Sequence, residues 1–228
     1  MNYTFQIKNS HQHFIKIIVQ ANVSSNSEVL VQLPSWRPGR YELADFAKNV
    51  KDFQVIDEKG HDLEFQKINK DSWRILNTEQ TSIQISYLYY AAELNAGSTF
   101  LDENQLYINP INCCIYLPDR MDEPCFVNLD VPDAYETVTS LVKCGAHKFK
   151  ANDFHELVDS PLISSSSLQC KKYKSTGATF NLCFQGEIKI DWERALKDFS
   201  LFTDYQIQKF NSFPVKEYYF LFQITPYP

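Results

Sequence analysis

From Tyr3 to Phe184 apolar and polar positions alternate with a period of two, the pattern of strands that bury one face. Tyr3, Phe5 and Ile7 share one face of a first strand, and Ile15, Ile17 and Val19 one face of a second. Val29 to Leu33 follows. Lys59-Gly60 lies between Phe53-Gln54-Val55-Ile56 and Leu63-Glu64-Phe65, which predicts a hairpin. Further strands centre on Trp73–Ile75, Ile83–Tyr89, Leu106–Ile108, Phe126–Val131 and Phe180–Phe184. Many short strands with polar turns between them predict a mainly β fold, an antiparallel β-sandwich or saddle.

The period changes after Gly186. Trp192, Leu196, Phe199, Phe202 and Phe210 recur at helical spacing, which predicts a helix over 191–210 with Asp191 as N-cap. Asn211-Ser212-Phe213-Pro214 ends it, and a strand over 217–225 is apolar enough to be buried on both faces. A helix and one aromatic strand cannot cover their own apolar sides. The chain is therefore expected to divide into a β-sandwich over 1–185 and, over 186–228, the start of a further domain whose remainder is absent. That leaves an apolar patch around Trp192, Phe199 and Phe220, and with it self-association through the helix and strand.

Charge narrows the partners. Twenty-two Lys and Arg against 28 Asp and Glu give a net charge of −6. This disfavours nucleic acid, which needs clustered cations, and Lys171-Lys172-Tyr173-Lys174 reads as a solvated strand edge. The longest nearly apolar run, Tyr218 to Ile224, is too short to cross a bilayer, so no membrane partner is expected. The strand-like N-terminus shows no export signal. The six cysteines form no C-x-x-C pair, and adjacent Cys113-Cys114 suit burial as small apolar side chains. These features predict a reduced, cytoplasmic protein.

Candidate chemistry is sparse. His155-Glu156-Leu157-Val158-Asp159 has Asp where a zinc helix needs its second His four residues on, and Ser160-Pro161 ends the turn, so a short capped turn is expected. No nucleophile elbow and no phosphate loop occurs. The chain itself carries no catalytic set and no metal or other cofactor site by this reading.

The most distinctive stretch is Leu33-Pro34-Ser35-Trp36-Arg37-Pro38-Gly39-Arg40-Tyr41, continued by Asp45-Phe46-Ala47-Lys48-Asn49. Locally it predicts a strand end, a Pro-Gly turn and about two helical turns with Phe46 and Val50 on one side. The stretch resembles the signature of the glycyl aminopeptidase family of zinc metallopeptidases, with Lys48 where the family has Arg. Tyr89-Tyr90-Ala91, Phe100-Leu101-Asp102 and Tyr107-Ile108-Asn109 are similar to its strand–loop–strand, and Leu157-Val158-Asp159-Ser160-Pro161 to a recurrent turn of the family. Gly186, the helix and the Tyr218–Phe222 strand look like the entry to its catalytic domain.

The resemblance implies a non-catalytic N-terminal β domain that walls the substrate cleft of a zinc aminopeptidase removing N-terminal Gly or Ala. The helix and last strand would begin a thermolysin-like α+β catalytic domain. The partners implied are that downstream domain and, in the parent enzyme, a peptide substrate. Zinc, its H-E-x-x-H helix and a Gly-Gly-x-Glu-His-like strand that anchors the substrate amine would lie beyond Pro228. By the same resemblance Asp102 or Asn109 would approach that amine; the alternative is that Asp102 caps a turn and Asn109 satisfies backbone groups before Pro110. Trp36 would line substrate or else cover the sandwich core, and Arg37 and Arg40 would pair with the neighbouring domain. Two other classes stand beside this one: a stand-alone β-sandwich module that binds peptide or carbohydrate, and a scaffold or dimerisation domain using the Tyr218–Ile224 strand.

Overall fold

The computed structural model describes residues 1–24, 27–78, 81–95 and 97–224. In chain order the strands are β1 Asn2–Asn9, β2 Phe14–Asn22, β3 Ser27–Gln32, β4 Val50–Asp57, β5 Phe65–Lys67, β6 Ser72–Thr78, β7 Ser82–Tyr90, β8 Phe100–Leu101 and β9 Gln105–Ile108. They continue as β10 Cys125–Asp130, β11 Glu136–Thr139, β12 Val142–Gly145, β13 Lys148–Ala151, β14 Leu162–Ser165, β15 Leu168–Ser175, β16 Ala178–Gln185 and β17 Glu217–Gln223. The α-helices are α1 Pro110–Cys113, α2 Phe154–Val158 and α3 Trp192–Phe210. The chain folds as two compact units: Met1–Pro132 with Leu141–Pro161, and Asp133–Ser140 with Leu162–Pro228.

The first unit is built on a seven-stranded sheet in the order β12-β13-β10-β1-β2-β7-β4, and a smaller sheet, β3-β6-β5. Alternation places the core. Ile15, Ile17 and Val19 of β2 and Ile85 of β7 are all 0% exposed, and Val19 pairs directly with Ile85. Burial of side chains of this size stabilises by about 1.5–3 kcal/mol each. Phe53 of β4 stacks on Trp73 of β6 with centroids 4.7 Å apart, which joins the large sheet to the small one. The hairpin expected at Lys59-Gly60 is present: Asp57 receives the Lys59 and His61 backbone N–H groups on Oδ1, both at 2.8 Å.

The second unit contains the antiparallel pair β11–β14 and a three-stranded sheet, β15-β16-β17. Strands β15 and β16 form a hairpin on Thr176-Gly177, both at positive φ (45° and 87°), the backbone of a tight two-residue turn. Strand β17 runs parallel to β16, with α3 as the crossover. Asp191 caps α3 by accepting the Arg194 N–H at 3.1 Å, and Asn211 in the left-handed region (φ 58°) ends it. Phe180, Ala178 and Ile207 form the core of this unit, with Tyr173, Phe213 and Phe220 against it.

Four local expectations change. The helical turns expected after Asp45 are a single 3-10 turn over Phe46–Asn49, because Val50 already enters β4. Strand β17 ends at Gln223 and is half-buried, with Tyr218 exposed, since neither face is fully covered; Pro226-Tyr227-Pro228 lie outside the described residues. Trp192, Phe199 and Phe220 are half-covered by each other and by Phe184 and Phe222, and the apolar side chains left outward on α3 are Leu201, Phe202, Tyr205 and Phe210. Cysteine burial holds for Cys113, Cys114 and Cys125, but Cys170 and Cys183 face each other across β15 and β16 and form a disulfide. A wholly reduced chain is thus not what the structure contains. No helix among the described residues is long and apolar enough to cross a membrane.

Candidate functional site

The distinctive Leu33–Asn49 stretch lies in the first unit as a closed loop. Leu33 donates its N–H to the Asp71 carbonyl at 2.8 Å, and Ser35 Oγ donates to Asp71 Oδ2 at 2.5 Å. Ala44 N–H then returns to the Ser35 carbonyl at 2.7 Å. Between these ties the chain turns through Gly39 (φ 87°) and Tyr41 (φ 54°), and Gly39 supplies the left-handed conformation without a Cβ clash. Lys70 holds the outgoing side through Asp45 Oδ1 at 3.1 Å and the Ala44 carbonyl at 3.0 Å.

The loop forms one wall of a cleft of about 480 Å³, whose other walls come from residues after β7 and from α1. Arg37 and Arg40 both line it. Arg40 pairs with Glu42, both exposed, so this pair contributes little to stability. Arg37 is half-buried and makes no ion pair or hydrogen bond with the described residues; its guanidinium fills the space that a Cβ on Gly97 would occupy. Burial pushes the Tyr107 phenol up, and the nearby Arg37 charge offsets part of that rise.

Asn109 reaches the same glycine. Its Nδ2 donates to the Gly97 carbonyl at 3.1 Å while its backbone N–H donates to Thr99 Oγ1 at 3.1 Å. Asn112, which the sequence reading did not single out, donates Nδ2 to the same carbonyl at 2.7 Å. Asn112 is 2% exposed, and no donor among the described residues reaches its Oδ1. The one sequence signal was its spacing, three residues after Asn109 across Pro110, which a turn of helix turns into a shared face.

Asp102 and Trp36 stand apart from the cleft lining. Asp102 Oδ1 accepts the N–H groups of Asn104 and Gln105 at 2.8 and 2.9 Å, the turn-capping geometry. Trp36 is 49% exposed and does not cover the core; that place belongs to Trp73. The segment His155–Val158 lies in α2, where Asp153 accepts the Glu156 N–H at 2.7 Å and Glu156 accepts the Asn152 N–H at 2.5 Å. Among the described residues no group of three or more His, Cys, Asp or Glu is placed to hold a metal.

The profile of the Peptidase M61 N-terminal domain matches residues 2–166. The chain belongs to that family. An aminopeptidase N family protein from Idiomarina loihiensis has the same fold, with a TM-score of 0.90 at 24% identity; the match covers 98% of this chain and 39% of that one. A mutant of the M1 zinc metallopeptidase from Deinococcus radiodurans is more distantly similar, with a TM-score of 0.53, 9% identity, and 96% and 55% of the two chains covered. The chain thus spans well under two thirds of either structure. A search of curated protein sequences gives no match. In this M61 N-terminal domain the matched region holds the Leu33–Asn49 loop and the whole cleft, whereas β15, β16, α3 and β17 lie beyond it.

Proposed function

We propose that this chain is the non-catalytic front part of a longer zinc-dependent aminopeptidase, one that removes N-terminal Gly or Ala from peptides and resides in the cytoplasm. The observation that carries the reading is the M61 N-terminal domain match over residues 2–166, together with a chain that spans 39% of the Idiomarina protein. The β portion would wall the substrate cleft, and the zinc, its ligands and the general base would be supplied by the downstream catalytic domain, where zinc activates the attacking water.

That catalytic domain would begin near Gly186, or earlier with the β15–β16 hairpin. Strands β15 and β16 share a sheet with β17, and the family match ends at 166. The free edge of β17 and the outward Leu201, Tyr205 and Phe210 of α3 would then be covered by the same domain, and in its absence would drive self-association. Asp102 and Asn109 would act on substrate only through the loops they hold, Asp102 the 102–105 turn and Asn109 the Gly97 carbonyl. Trp36 and Arg40, both exposed, remain available as contacts to that domain.

The test compares the 228-residue chain with the full-length product, by metal analysis and by hydrolysis of Gly- and Ala-amide substrates. The reading predicts one zinc per chain and turnover in the full-length protein, and neither in the 228-residue chain. Full-length protein without zinc or turnover would refute it. In the full-length enzyme Asp102→Ala should leave kcat and KM unchanged if Asp102 only caps its turn, and a raised KM would return it to the substrate site.

A further inference from the structure

The second unit holds a pair of sulfurs to which the aminopeptidase reading gives no task. Cys170 of β15 and Cys183 of β16 stand directly opposite each other in the hairpin register, with Cα atoms 4.3 Å apart, and are joined as a disulfide. Contacts tell the two faces of this sheet apart. Tyr173 meets Thr203 of α3 at 3.2 Å, Phe184 packs edge-on against Trp192, and Phe222 against Phe199. Alternation therefore places Cys170 and Cys183 on the face turned away from α3.

The two ends of the bridge differ. Cys170 is exposed, whereas Cys183 is 2% exposed. The disulfide joins neighbouring strands, so its axis runs across them. Strand β15 is the end strand of its sheet, and the line from Cys183 through Cys170 leads out past the sheet edge. Followed the other way, the line runs towards β17, where Leu221 pairs with Cys183. A thiolate displaces one sulfur from another along the axis of the bond that breaks, so access decides which sulfur is attacked. Here the open approach is to Cys170.

We propose that the Cys170–Cys183 pair is a reversible modification site for a low-molecular-weight thiol of the glutathione type, in which Cys170 takes up the thiol and Cys183 is the resolving sulfur. The incoming thiolate bonds to Cys170 Sγ as the Cys170–Cys183 bond breaks, and Cys183 leaves with the electron pair and takes up a proton. The product is a mixed disulfide on Cys170 beside a Cys183 thiol. From there the Cys183 thiolate can return to Cys170 Sγ and expel the small thiol, which restores the bridge with no net transfer of electrons. Alternatively a second small thiol attacks the sulfur it finds attached to Cys170. That leaves both cysteines as thiols and the two small molecules joined as their own disulfide, with two electrons passed to the protein. Burial shields Cys183 from the external thiol, while its register opposite Cys170 keeps it within reach of the mixed disulfide. The site lies wholly in the second unit and is independent of the aminopeptidase reading; in the cytoplasm proposed above, thiols of this class are present to exchange with it.

The test uses the 228-residue chain carrying Cys144→Ser, which removes the exposed free thiol. The oxidised protein is incubated with reduced glutathione in native buffer and quenched with acid, and adducts are mapped by mass spectrometry of its peptides. The expected result is a glutathionyl group on Cys170 at least ~10-fold more often than on Cys183, as access to one sulfur implies. The bridge should reform when glutathione is diluted out. Cys183→Ser, which cannot resolve, should keep a lasting adduct on Cys170 after treatment with oxidised glutathione, and Cys170→Ser should leave the buried Cys183 unmodified. Adducts on both sulfurs alike would overturn the proposal. So would exchange that occurs only in urea, since that describes a purely structural bridge. A chain in which oxidised glutathione leaves both thiols free would overturn it too, because no bridge then forms.

Discussion

Replacing Asn112 with Ala puts a number on the unmatched acceptor. The substitution removes the hydrogen bond from Nδ2 to the Gly97 carbonyl, a net loss of about 0.5–1.5 kcal/mol. The carbonyl is not orphaned, because Asn109 Nδ2 still donates to it at 3.1 Å. The same substitution removes the buried Oδ1, relieving about 1–3 kcal/mol. The space left adjoins the cleft that Asn112 lines, so water can fill it and the penalty of an empty cavity is largely avoided. These terms nearly cancel, and the variant should lie within about 1 kcal/mol of wild type, where truncation of a fully satisfied buried amide would cost well above that. Urea unfolding followed by circular dichroism, with the slope shared between variants, measures the difference. Destabilisation by more than about 3 kcal/mol would refute the reasoning, because it would mean that Oδ1 has a strong partner in the folded protein.

Other consequences test the fold. Tyr3→Phe should cost about 1–3 kcal/mol, since the Tyr3 hydroxyl is buried and donates to the Ile115 carbonyl at 2.9 Å; the same urea series reads it. Asp191→Ala removes the cap of α3 and should lower the protection of its first-turn amides against hydrogen exchange, by about 1 kcal/mol. Titration of the denatured chain purified without reductant should find four thiols, those of Cys113, Cys114, Cys125 and Cys144, and six would show that Cys170 and Cys183 are reduced. The hydrogen bond from Arg120 holds the Glu123 carboxyl below its usual range, so its contribution to stability is present above the ordinary Glu pKa of about 4.3 and fades as pH falls through the lower folded value. Glu123→Gln should flatten that part of the acid limb, and an unchanged limb would count against the pair.

Strands β2, β7 and β10 were legible because each buries a single face. In β7, Ile83, Ile85, Tyr87 and Tyr89 are all within 2% of full burial, and the residues between them are not. The cap and stop of α3 were equally local, one side chain at each end. Pairing partners were not local. The parallel pairing of β1 with β10 joins Tyr3 to Val127, and no short-range pattern specifies it. The loop from Ser35 to Ala44 defeated a periodicity argument because its path is set by Asp71, far along the chain, and by two residues at positive φ. The Cys170–Cys183 pair was within reach: counting outward from the Thr176-Gly177 turn places the two residues opposite each other.

The candidate site shows the same division. Arg37 and Asn109 belong to distinctive stretches of sequence and do meet at one place, whereas Trp36 and Asp102 belong to the same stretches and do not. What brings the first two together is the Gly97 backbone, whose role depends on its missing Cβ and on a carbonyl that accepts from two side chains, neither of which leaves a pattern in the chain. Asn112 was invisible for a related reason: an unmatched lone pair is a property of the folded surroundings.

The reading of this chain as the front of a zinc aminopeptidase is tested most directly by translating the gene's reading frame past Pro228. The account predicts a Gly-Gly-x-Glu-His-like strand followed, within about one domain's length of ~150 residues, by an H-E-x-x-H helix. A stop codon directly after Pro228, or a downstream domain without that helix, would contradict it.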